Sequence, residues 1–88
     1  MNVKEIVDYM IKEGTESTNY GAWNFGLETD IAAFSEMSVK WLHEHQDEIY
    51  DELLEREEVA EVTEYEEDGV HIFDICFYRS FCPNIWDD

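Results

Sequence analysis

Carboxylates are the residues of this chain with the clearest chemical pattern. Of 88 residues, 23 are Asp or Glu and 5 are Lys or Arg, which gives a formal net charge of −18. Between positions 44 and 58, acidic residues recur at short steps, and Arg56 is the single basic residue of that stretch. Because helix side chains three or four residues apart are neighbours, this spacing predicts a ridge of negative charge along one helix. Its members are Glu44, Asp47, Glu48, Asp51, Glu52, Glu55 and Glu58.

The number of negative charges per unit length along this ridge approaches the number of phosphates per unit length of a nucleic-acid strand. A helix over 44–58 rises about 21 Å, a length that about six phosphates of one DNA strand would span. We expect the hairpin that follows to extend the ridge with Glu61, Glu64, Glu66 and Asp74. The alternative is an ordinary solvated helix face, although such faces usually mix Glu with Lys.

A calcium loop is suggested by one short segment and then rejected. Glu64, Glu66, Asp68 and Gly69 match the first, third, fifth and sixth positions of such a loop. The bidentate Glu that closes the loop is missing, because Ile75 occupies its position. We therefore predict no specific calcium site.

Zinc and catalytic motifs are also missing from the sequence. His43 and His45 are two residues apart and would face different sides of a helix, and Cys76 and Cys82 lack a recognised zinc spacing. His45 falls on the apolar side and is expected to be a packed histidine. The chain contains no GxSxG, no phosphate-binding glycine loop and no HExxH. We predict no metal, no cofactor and no catalytic residue.

Composition excludes further classes of function. With 44% hydrophobic and 15% aromatic residues the chain is expected to fold, as one domain over 1–88. Its sequence pI of about 4.1 excludes direct binding to nucleic acid or to an anionic membrane, since both need Lys and Arg. No apolar run could span a membrane, and the N-terminus lacks a secretory pattern. We therefore expect a cytoplasmic protein with reduced cysteines.

Two helices are predicted before position 58. Apolar residues with helical spacing predict the first over 3–13, with Asn2 as N-cap and Gly14 as its end. A loop and a short strand through Trp23–Leu27 follow. Residues 30–57 then predict one long acidic helix, with a break near Gln46-Asp47 as the alternative.

The C-terminal third predicts an antiparallel β-hairpin over 59–78 that packs on the helices. Asp68-Gly69 is a strong two-residue turn signal, and it sets a register that pairs Glu66 with His71 and Ala60 with Phe77. The hairpin should bury Val62, Phe73, Ile75 and Phe77. The apolar residues of the tail over 79–88 are expected to fold back on the core, and they are Phe81, Pro83, Ile85 and Trp86.

The fold class expected from these elements is α+β: an N-terminal helix, a long acidic helix and a C-terminal hairpin. The expected function is a non-enzymatic inhibitor that mimics nucleic acid and occupies the basic DNA- or RNA-binding surface of a target protein. In size and charge, the chain resembles the small acidic proteins with which phages disarm restriction, repair or CRISPR effectors. One alternative is an immunity protein, antitoxin or acidic adaptor for another basic partner; others are a halophile's acidic surface and a small enzyme.

Overall fold

The computed structural model describes residues 1–86, which form an α+β domain, as the sequence predicted. Helix α1 spans Val3–Ser17, and strand β1 (Ala22–Gly26) runs through a π-helical turn (Leu27–Ile31) into the short helix α2 (Ala32–Ser35). Helix α3 (Val39–Glu55) precedes strands β2 (Val59–Glu67) and β3 (Val70–Phe77), and a 3₁₀ turn follows at Arg79–Phe81.

Helix α1 begins as predicted and ends one turn later than predicted. The Asn2 side chain accepts a hydrogen bond from the Glu5 backbone N–H, and the Glu5 carboxylate accepts one from the Asn2 N–H, which makes a capping box. Gly14 does not end the helix. It lies buried inside it, where a Cβ atom would come within 2.6 Å of the Phe77 ring. The glycine therefore allows α1 to approach the sheet closely.

The sheet has three antiparallel strands in the order β1-β3-β2. The predicted short strand is confirmed as β1, and it pairs along β3 from Ala22 opposite Cys76 to Gly26 opposite Ile72. The hairpin therefore gains a third strand in addition to the helices that pack on it, and both stabilise a ribbon that would be marginal alone. Both β1 and β2 are edge strands.

The predicted hairpin register is confirmed over most of its length. Asp68 and Gly69 both have positive φ, and Glu66 pairs with His71 as expected. The register shifts at Ala60, so that Val59 pairs with Phe77; the predicted Ala60–Phe77 pair was wrong. A bulge adds one residue to β2, and this extra residue turns Val59 to the buried face of the sheet.

The predicted helix over 30–57 is interrupted, but at residues 36–38 and not near Gln46-Asp47. Glu36 has a left-handed backbone with φ of 60°. The Ser35 hydroxyl accepts a hydrogen bond from the Met37 N–H, and the Ser38 hydroxyl accepts one from the Trp41 N–H, which caps α3. These serines offer the backbone an alternative to a continuous helix. Gln46-Asp47 lies within α3.

The helices cover one face of the sheet. Helix α1 packs on β1, α3 packs on β2, and the two helices contact each other. Each has an apolar stripe and a polar remainder, and no helix within residues 1–86 is long and apolar enough to cross a membrane. The fully buried apolar side chains are Ile6, Val7, Met10, Leu27, Ile31, Leu42, Ile49, Leu53, Phe73 and Ile75.

The tail folds back only in part. Cys82 is buried and Ile85 packs against the core, and the Trp86 backbone N–H donates to the Asn19 carbonyl. The side chain of Trp86 is nevertheless 74% exposed, and Phe81 and Pro83 are also exposed, so the prediction was wrong for these three residues. Asp87 and Asp88 lie outside the described residues.

The close approach at Gly14 gives a prediction. Gly14→Ala should lower the free energy of unfolding by about 1–3 kcal/mol, because the buried Phe77 ring must shift. The usual preference of about 1 kcal/mol for Ala over Gly in a helix opposes this loss. Urea denaturation measures the difference, with exposed Glu16→Ala as the control. A Gly14→Ala protein as stable as the wild type would show that the contact is easily relieved.

Candidate functional site

Five of the seven predicted helix carboxylates share one exposed face of α3. At about 100° per residue, they fall within an arc of about 100° opposite the buried Leu42, Ile49 and Leu53. All five side chains are exposed. We call this set the carboxylate ridge, and its members are Glu44, Asp47, Glu48, Asp51 and Glu55.

The carboxylate ridge is shorter than the predicted ridge, but the number of carboxylates per unit length of helix is similar. From Glu44 to Glu55 the helix rises about 16 Å, a length that about five phosphates of a DNA strand would span. Within residues 1–86 none of the five carboxylates forms an ion pair. Lys40, one turn before Glu44, is the basic residue nearest to them along this face.

Glu52 and Glu58 do not belong to this face. The Glu52 carboxylate accepts a hydrogen bond from Arg56 Nε at 2.8 Å, and Arg56 also pairs with Asp8 and donates to the Lys4 carbonyl. This junction joins α3 to α1 and neutralises Glu52. Glu58 follows α3, in the turn before β2, where its carbonyl accepts a hydrogen bond from the Tyr78 N–H.

The four hairpin carboxylates lie on two faces of the sheet. Side chains alternate along a strand, so Glu61 and Asp74 point away from the helices, while Glu64 and Glu66 share the face of buried Val62 near the turn. The carboxylate ridge points away from the sheet. The structure therefore does not bring the eleven predicted carboxylates together, because Glu61 and Asp74 lie on the opposite side of the two-layer fold.

Glu28 connects three elements, and sequence reasoning did not identify it. One carboxylate oxygen lies 2.8 Å from His43 Nε2, on α3, and the other accepts a hydrogen bond from the His71 N–H, on β3, at 2.9 Å. His71 Nε2 lies 3.1 Å from a Glu64 carboxylate oxygen, so its ring pairs with Glu64 and not with Glu66, the partner expected from register. No residue spacing signals this cluster, because its members are far apart in the chain.

Burial affects the pKa of Glu28, but its hydrogen bonds have the larger combined effect. Desolvation acts to raise the pKa of this carboxyl, while hydrogen bonds from His43 and from the His71 N–H lower it, and the net result is a pKa below the ordinary value of a glutamate. The group is therefore ionised at neutral pH. Its charge lets it accept hydrogen bonds from both directions.

The ring of His45 is packed against the preceding turn of α3. His45 Nδ1 donates to the Trp41 carbonyl at 2.7 Å and its ring stacks on that indole, as expected of a packed histidine. No group of three or more His, Cys, Asp or Glu within residues 1–86 could hold a metal ion.

Both cysteine thiols have a raised pKa. Burial raises the pKa of the Cys76 thiol, and the charges of Asp74 and Glu61 raise it further; burial also raises the pKa of the Cys82 thiol. Such thiols are protonated and weakly nucleophilic at neutral pH.

The Glu28 cluster gives a prediction about stability and pH. Glu28→Gln should lower the free energy of unfolding at neutral pH by about 1 kcal/mol, because a neutral amide is a weaker acceptor. Since the pKa of Glu28 is lowered on folding, its contribution is present above the unfolded pKa of about 4.3 and disappears as pH falls through the folded value. Thermal melts should therefore converge in acid. Exposed Glu44→Gln is the control, and a Glu28→Gln deficit that persists in acid would contradict this account.

The unpaired carboxylate ridge gives a second prediction. The melting temperature should rise between about 10 mM and about 200 mM salt, because the Debye length falls from about 30 Å to under 10 Å and repulsion is screened. Neutralising the ridge with Glu48→Gln, Asp51→Asn and Glu55→Gln should reduce this rise. Calorimetry at both salt concentrations measures the rise in melting temperature for the wild type and for the variant. An equal rise in the two proteins would show that the ridge contributes little to the repulsion.

Comparisons with known proteins identify no relative of this chain. A scan against family models finds no match, and searches of curated proteins and of solved structures find none either.

Proposed function

We propose that this protein is a non-enzymatic inhibitor whose carboxylate ridge mimics a nucleic-acid strand and occupies the basic DNA- or RNA-binding surface of a target protein. The observation that carries the proposal is a row of five exposed carboxylates, unpaired within residues 1–86, at nearly the line density of phosphates. An ordinary solvated helix face mixes both signs of charge. This one holds a single sign from Glu44 to Glu55.

The support beneath the ridge favours such a role. Helix α3 is capped by Ser38 and its opposite side is anchored in the core by Leu42, Ile49 and Leu53. The backbone positions that carry the ridge are therefore fixed before a partner arrives, which limits the backbone entropy lost on binding. A row of like charges also raises the rate of encounter with a basic surface.

The same electrostatics indicate what kind of partner the ridge would bind. A basic nucleic-acid-binding protein is the proposed partner, and direct binding to nucleic acid is disfavoured by repulsion between phosphates and a net charge of −18. Phage anti-defence proteins of the anti-CRISPR kind are the proposed class. The free thiols of Cys76 and Cys82 fit a cytoplasmic location. An immunity protein or antitoxin would use the same surface on a different partner.

Charge reversal on the ridge tests the proposal. The triple variant Glu48→Lys, Asp51→Lys and Glu55→Lys should fold, because these side chains are exposed, and should lose binding to the basic partner by at least about tenfold. Affinity capture from a host lysate, eluted with a double-stranded oligonucleotide, selects proteins whose nucleic-acid site is the one occupied. Binding of the selected protein is then measured by calorimetry at two salt concentrations.

A matched variant separates the ridge from net charge. Glu16→Lys, Glu61→Lys and Glu67→Lys reverse three exposed acids away from the ridge, with the same change in net charge. This control should retain most of the binding. Equal losses in both triple variants, or wild-type affinity in the ridge variant, would refute mimicry by the ridge. A captured protein that oligonucleotide does not displace would favour the immunity-protein alternative.

A further inference from the structure

An aromatic groove lies at the β1 edge of the domain, away from α3 and its carboxylate ridge. Its volume is about 690 Å³, within the size range of ligand sites. Helix α1, strand β1 and residues 30–34 form its walls. Besides the buried Phe25, it combines four aromatic side chains with two carboxylates, namely Tyr9, Tyr20, Trp23, Phe34, Glu13 and Asp30.

Three of these four aromatic rings are fixed by packing against other side chains. Tyr9 of α1 stacks on Phe34 of α2, with ring centroids 4.0 Å apart. Trp23 lies opposite Ile75 in the sheet and packs against the core. Tyr20, in contrast, is 74% exposed at the mouth of the groove. The groove therefore presents preformed ring faces together with one accessible ring.

The two carboxylates give the groove a sign of charge. Asp30 Oδ2 accepts a hydrogen bond from the Gly26 N–H at 2.8 Å, which leaves its second oxygen available, and Glu13 accepts a bond of 3.3 Å from the Ser17 hydroxyl. Neither carboxylate is in an ion pair within residues 1–86. Ring faces beside unneutralised carboxylates attract a cation. A guanidinium suits such a site best, because it stacks on rings and pairs with a carboxylate in a fork.

The open edge of β1 provides a place for a backbone beside the groove. The bond from the Phe77 N–H to the Gly21 carbonyl sets the antiparallel alternation, so Ala22, Asn24 and Gly26 direct their backbone groups away from β3. Thr18 Oγ1 bonds both the N–H and the carbonyl of Ala22, and Asp30 binds the Gly26 N–H. The outward backbone groups of Asn24 are thus the pair to which an extended peptide can bond.

We propose that this groove binds an arginine side chain on an extended segment of a protein partner. The guanidinium lies among the rings of Tyr9, Tyr20 and Trp23 and pairs with Glu13 and Asp30. The backbone of the segment adds to β1 at Asn24. This surface is separate from the carboxylate ridge, and the inference does not depend on the proposed nucleic-acid mimicry.

A short peptide tests the groove directly. The probe is acetyl-Val-Arg-Val-amide, titrated into the protein labelled with ¹⁵N while the backbone amides are followed by NMR. Saturable shifts are expected at Trp23, Asn24 and Asp30. Replacing arginine by citrulline, which keeps the shape and removes the charge, should weaken binding at least tenfold, and lysine should bind more weakly than arginine. A citrulline peptide that binds equally well, or shifts confined to α3, would overturn the proposal; equal binding of lysine would overturn the guanidinium assignment.

Matched variants complete the test. Tyr20→Ala and Glu13→Gln change exposed side chains of the groove and should each weaken the arginine peptide about threefold or more, with the amide spectrum otherwise preserved. Glu16→Gln makes the same charge change on α1 outside the groove and should bind like the wild type. If Glu13→Gln and Glu16→Gln weaken binding of the arginine peptide equally, the loss comes from net charge alone, and the proposed site is wrong. The ridge variant Glu48→Lys, Asp51→Lys and Glu55→Lys should still bind the peptide, so the two proposals fail separately.

Discussion

The rest of the structure depends on one constraint, the separation of a small apolar core from a very large negative charge. The side chains buried between sheet and helices are apolar or small and polar, and no Asp or Glu within residues 1–86 is buried. An ionised carboxylate costs too much to bury without a partner. The apolar stripes that form the core therefore also decide where each carboxylate lies.

The same constraint divides the charge among several surfaces. On α3 the stripe of Leu42, Ile49 and Leu53 directs the acids into one row, whereas strand alternation sends the hairpin acids to both faces of the sheet. Where a carboxylate lies against a neighbouring element, it has a partner: Arg56 for Glu52 at the junction with α1, and His43 for Glu28. The five acids of the carboxylate ridge face solvent and have no such partner within residues 1–86, which leaves them available to a basic molecule.

Features specified by neighbouring residues were predictable from the sequence, and features that need a distant partner were not. The Asn2 cap and the Asp68-Gly69 turn require only a few adjacent residues, and both were predicted correctly. Gly14 was taken for a helix end because the Phe77 ring that requires a glycine there comes from the last strand. The break before α3 had a local signal in Ser38, but apolar residues on both sides of it continued the helical period and hid that signal.

The two candidate sites differ in the same respect: the carboxylate ridge could be predicted from neighbouring residues, and the aromatic groove could not. The carboxylate ridge follows from helical period alone, whereas the groove assembles Tyr9, Trp23 and Asp30 from three elements that only the folded chain brings together. A row of exposed charges attracts a basic surface before contact, and it tolerates many such surfaces because each exposed ion pair is weak. Rings fixed by packing act only on contact and discriminate by shape and by the geometry of a single cation. The two proposals therefore assign different tasks to the two surfaces: attraction of a basic partner to the ridge, and selection of one arginine side chain to the groove.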